Sequence, residues 1–221
     1  MDVSVNRSAA ETKSSTVAIS FARFGGISAM IAGGSSFGYS VSFVIIDRVS
    51  PSLADKLTAL FLLLGGCVGS AALIALYERL GAEGTDHGFA LWALLLGIVS
   101  ALGSAVHGGY DLANVIHEPA TNPDLPSGVD PRGLLTFGVA GLATLTFAWL
   151  IRHSHTMPRQ LGALGLALGV LLIVIYLGRL VVLNAQNPLI VVPAVLTGFV
   201  ISPAWYVWLG RELLRETEKG A

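Results

Sequence analysis

Six blocks of almost uninterrupted apolar residues fill the chain, at about 25–46, 57–77, 89–114, 134–151, 161–183 and 190–210. Each approaches the roughly twenty residues that a helix needs to cross a hydrocarbon core about 30 Å thick. This pattern restricts the architecture more than any motif does. Inside lipid, only a helix or a closed barrel satisfies its own backbone hydrogen bonds. The blocks are continuously apolar, whereas a membrane strand alternates over about ten residues. The expected fold is therefore all-α: a polytopic bundle of six transmembrane helices over 17–210, with a polar tail at 1–16 and a charged tail at 211–221.

Composition narrows the partners. Hydrophobic residues make up 53% of the 221 positions and charged residues 12%, with a mean hydropathy of +0.72. A soluble domain carries about 25% charge, so the expected surroundings are a lipid bilayer. The longest connection, 118–133, is far too short to fold as a soluble domain. A net charge of −1, with no basic patch interleaved with aromatics, gives no basis for nucleic-acid binding. Cys67 is the only cysteine and cannot form an internal disulfide. Residues 1–16 contain no apolar segment ending in a cleavage site and are read as a tail.

Lysine and arginine set the expected orientation. Arg7, Lys13, Arg23, Arg79, Arg152, Arg159, Arg211, Arg215 and Lys219 fall at one set of block ends, against Arg48, Lys56 and Arg132 at the other. The positive-inside rule then places both termini in the cytoplasm of a cell crossed several times at its membrane. Trp205, Tyr206 and Trp208 come to the inner end of the sixth block, where an aromatic belt belongs. Small residues recur four apart at Gly34/Gly38, Gly65/Gly69, Ser100/Ser104 and Gly165/Gly169. Such steps let helix backbones approach closely.

One helical face is polar. At about 100° per residue, His107, Tyr110, Asp111, Asn114 and His117 fall within an arc of about 120° at the end of the third block. Arg179 is the one cation inside a block away from the cytoplasmic border, with Tyr176 a turn below it and Asn184 and Gln186 above. Counted from the inner helix ends, Asp111 lies about 33 Å up and Arg179 about 27 Å up, so the two reach similar depth near the outer boundary. The expected ligand-binding set is His107, Tyr110, Asp111, Asn114, Tyr176 and Arg179, serving a small molecule and its transport. The short chain argues for a homo-oligomer where transport is the activity.

Other readings of these residues stay open. Charges near the boundary can simply meet water or headgroups, or lock two helices as an ion pair. An intramembrane enzyme using His107 as a base oriented by Asp111 needs a third group from another helix. A structural or accessory subunit would use the glycine steps to pack against a partner. His107 and Asp111 have metal-ligand spacing but no third ligand at their depth, and no second histidine stands at the height of His107 for a haem. No metal, cofactor or catalytic residue is therefore assigned. Residues 118–133 hold Pro119, Pro123, Pro126 and Pro131 and form a loop, as either a lid or a plain connector.

The segments Pro158-Arg159-Gln160-Leu161-Gly162, Tyr176-Leu177-Gly178-Arg179 and Pro203-Ala204-Trp205-Tyr206-Val207-Trp208-Leu209-Gly210 are similar to stretches of a bacterial multi-pass inner-membrane family of unknown function. The resemblance covers about 133–215. It implies a bacterial six-helix inner-membrane protein and carries no activity with it.

Overall fold

Prolines, serines and carboxylates near the block boundaries set where the helices begin. The computed structural model describes residues 3–82, 84, 86–117, 133–182 and 187–219, with side chains over 21–215 of these. Helix α1 runs Val3–Val44, continuing as a helix through most of the expected tail. A short 3-10 turn, Ile46–Arg48, leads to α2, Pro51–Gly81. Pro51 occupies the first turn of α2, where its missing N–H removes no helical bond. Residues 51–56, expected to belong to a connection, are helical for that reason. Helix α3, His87–Ile116, begins where the Asp86 carboxylate accepts from the N–H groups of Gly88 at 3.0 Å and Phe89 at 3.3 Å.

The next helix opens with a π segment, Leu134–Val139, that continues into α4, Ala140–His153. The Ser154 hydroxyl accepts from the N–H groups of Thr156 and Met157 at 3.2 and 3.1 Å, shaping the turn into α5, Arg159–Val182. Asn187 caps α6, Pro188–Leu196, and a second π segment, Thr197–Ile201, joins it to α7, Ser202–Lys219. The described residues are all-helical, and six stretches are long and apolar enough to cross a membrane: Phe21–Arg48, Pro51–Gly81, His87–Ile116, Leu134–His153, Arg159–Val182 and Pro188–Arg215. These match the six apolar blocks, the last being α6, its π segment and α7 together. Gly26 of α1 touches Gly210 of α7, so the two ends of the chain enter and leave at one end of the bundle. We call the opposite end distal.

Packing is inverted relative to a water-soluble domain. The core is rich in alanine, including Ala29, Ala72, Ala75, Ala90 and Ala93, around a few large groups such as Leu76, Phe147 and Trp205. Large apolar side chains face outward: Leu95, Val99, Leu102 and Val106 follow one stripe of α3 and are 57%, 50%, 56% and 71% exposed. In water such a stripe drives aggregation. Against lipid tails it is the solvated surface, and small core residues let the helices close on one another.

The closest approaches only partly follow the four-residue steps. Gly165 and Gly169 of α5 pack tightly, the latter with its Cβ direction 2.9 Å from the Gly141 carbonyl of α4. Between α2 and α3, however, the contact runs through Gly66, whose Cβ direction points 2.5 Å from the Ala101 carbonyl, and through Gly108, which faces the backbone of Ala59 and Leu63. Gly34 and Gly69 face open space. Gly34→Ala is accordingly expected to change thermal stability by no more than about 0.5 kcal/mol, checked by unfolding in detergent.

Candidate functional site

The distal polar groups gather around the π segment Leu134–Val139. Thr136 meets His107 of α3, with Oγ1 3.5 Å from Nδ1. Phe137, the next residue, lies under Arg179 of α5, whose Cζ is 5.7 Å from the ring centroid. Gly138, the residue after, abuts Tyr176 of α5, with its Cβ direction 3.1 Å from Cδ1. A π turn widens the helix by one residue, and such turns occur often at functional sites. Three consecutive residues thus hold the three groups that the sequence marks on α3 and α5.

Asp111 and His107 form a pair on one face of α3, with Oδ2 3.1 Å from Nε2. Where the carboxylate accepts from Nε2–H, the tautomer with a bare Nδ1 can accept from the Thr136 hydroxyl. The His107 side chain is 13% exposed and the Asp111 side chain 38%. The carboxylate is therefore the accessible member, and the imidazole fixes it from below. Arg179 is exposed, with its Cζ over the Phe137 ring, a favourable cation–π placement. The two charges whose depths match are held by different partners.

A third helix joins them. Tyr39 of α1 is partly buried and lies within electrostatic reach of both Arg179 and Asp111. Tyr110, 46% exposed, and the partly buried Asn114 continue the polar face toward the end of α3. His117 follows as the exposed C-cap in extended conformation. Asn184, Gln186 and residues 118–132, including the proposed lid, lie outside the described residues. Among the described residues no three His, Cys, Asp or Glu side chains gather into a metal-sized group. At the other end of the bundle His153 is held within its own helix, where Nδ1–H donates to the Trp149 carbonyl at 2.8 Å.

Tyr39, Thr136 and Phe137 are the members that reading the sequence overlooks. Tyr39 stands in a serine-rich apolar block and carries no spacing signal of its own. Thr136 and Phe137 depend on the π segment, which a continuous apolar run does not announce. No protein-family model, curated protein or solved structure matches the chain.

Proposed function

We propose that the protein binds a small polar molecule at the distal end of its bundle, between α1, α3, α5 and the π segment Leu134–Val139, and that it serves that molecule's passage across the membrane. One observation carries this reading: three consecutive residues of the π segment, Thr136, Phe137 and Gly138, meet His107 of α3 and Arg179 and Tyr176 of α5. Arg179 stands exposed over the Phe137 ring, and the Asp111 side chain is 38% exposed beside His107. A ligand with an anionic end and a cationic or donor end, such as an amino acid, complements both. The distribution of Lys and Arg supports cytoplasmic termini, and with them a site open to the outside. The likeness of 133–215 to bacterial multi-pass proteins supports a bacterial inner membrane, and the short chain supports a homo-oligomer.

The test is thermal unfolding of detergent-purified protein against the proteinogenic amino acids, choline and short carboxylates. At least one compound is expected to raise the midpoint of the parent protein. Arg179→Leu and Asp111→Asn are each expected to weaken that compound at least tenfold, about 1.4 kcal/mol, since each removes a charge-assisted hydrogen bond. Equal stabilisation of the parent and both variants would reject the pocket.

A further inference from the structure

The sixth span breaks its helical register at the second π segment, Thr197–Ile201, between Pro193 and Pro203. The Ser202 N–H donates to the Thr197 carbonyl, five residues back. Pro203 has no N–H to continue this register. The Gly198 carbonyl therefore lacks both donors that a following helical turn would supply, the N–H four residues on and the N–H five residues on.

This break faces α1 at a row of hydroxyls. The Ser36 hydroxyl donates to Ser202 Oγ at 3.0 Å. The Ser40 hydroxyl donates to the Ser36 carbonyl at 3.1 Å, and its oxygen occupies the space that a Cβ on Gly198 would need. Ser40 is 7%, Thr197 6% and Ser202 8% exposed. The Thr197 hydroxyl is buried with no hydrogen-bond partner. Thr197 and Ser202 are the two ends of the backbone bond that spans this break, and both are buried. A buried hydroxyl without a partner is costly, and a bound ion would supply one. The notch stands near the middle of Phe21–Arg48 and of Pro188–Arg215, at the depth where interrupted membrane helices hold their ions through hydroxyls and unwound carbonyls.

We propose that the notch formed by Ser36, Ser40, Thr197, Gly198 and Ser202 binds a monovalent cation of sodium's size. Its donors are all hard oxygens, from hydroxyls and a freed carbonyl, and they converge on one break in one helix. The neutral donor set suits a single positive charge and offers too little negative charge for a divalent ion. The residues of the notch are distinct from those of the distal pocket, which it adjoins where Ser40 follows Tyr39 on α1, and its test does not depend on that pocket's ligand.

The experiment compares thermal unfolding of the purified protein in sodium chloride and in choline chloride at equal ionic strength. The parent is expected to melt several degrees higher in sodium. Thr197→Val keeps the shape of the side chain and removes its oxygen; it is expected to lose the sodium-dependent rise while melting at or above the parent in choline. Ser36→Ala, a second variant on the opposite helix, is expected to lose the rise as well. Equal midpoints of the parent in the two salts overturn the proposal, as does a full sodium response in both variants. A Thr197→Val protein that is more stable in both salts, beside a parent indifferent to sodium, marks an unpaired hydroxyl and likewise overturns it.

Discussion

Leu102→Asp is expected to destabilise the folded, inserted protein by about 2.5–3.5 kcal/mol, the cost of a carboxylate at the centre of a membrane helix. Leu102 stands midway along α3 and is 56% exposed, in line with Leu95, Val99 and Val106. If water bathed this face, the same substitution would fall within about 0.5 kcal/mol of the parent, as surface changes do. The two surroundings therefore predict effects that differ severalfold. Membrane insertion efficiency of α3 and the yield of folded protein both read the difference. The matched change at the buried position Ala101, Ala101→Asp, is damaging in either solvent and serves as the reference for complete loss.

Gly108→Leu is expected to cost about 3 kcal/mol or more. A Cβ on Gly108 would lie 2.6 Å from the Ala59 carbonyl and closer still to the Leu63 nitrogen. Both are backbone atoms of α2, which a rotamer change cannot move aside. Overpacking alone typically costs about 1–3 kcal/mol, and here relief requires α2 and α3 to separate. Gly108 is also the residue after His107, so the same displacement moves His107 away from Thr136. The variant should lose any ligand-induced stabilisation along with its resistance to heat. Gly109→Leu is the control, because a Cβ there meets Leu63 Cδ1 at an ordinary 3.9 Å. Unfolding curves of the two variants in the same detergent check the contrast.

The six spans are legible because continuous apolar runs of membrane length leave few alternatives, and each run matches a helix long enough to cross. Helix starts are less legible. Residues 51–56 read as polar and connecting, yet Pro51 begins α2 there. The glycine steps are legible as a type but not as contacts. Gly66 and Gly108, which belong to none of the four pairs named above, make the tightest α2–α3 approach, while Gly34 and Gly69 meet nothing. Which side of a helix finds a partner depends on tertiary placement that one sequence does not encode locally.

The polar stripe on α3 could be read from helical period alone, and the pairing of His107 with Asp111 follows from their spacing of one turn. The partners across the bundle could not. Thr136 and Phe137 reach His107 and Arg179 through a π turn, and a single extra residue per turn leaves no trace in hydropathy. The second π segment does carry a signal: Pro193 and Pro203 within one apolar run predict a broken register between them. Continuous hydropathy conceals it, since prolines in a membrane helix are tolerated wherever neighbouring hydroxyls and carbonyls compensate.

The central claim is that the six apolar helices cross a bilayer and leave the distal end, with Asp111 and Arg179, on the outside. Cysteine accessibility tests it most directly. In a Cys67→Ala background, Val49→Cys places a thiol at a distal position that is 85% exposed, and Ala82→Cys places one at the exposed turn after α2. In intact cells a membrane-impermeant maleimide is expected to label Val49→Cys, and to label Ala82→Cys only after the membrane is permeabilised. Labelling in the reverse order, or recovery of the protein in the soluble fraction without detergent, contradicts the account.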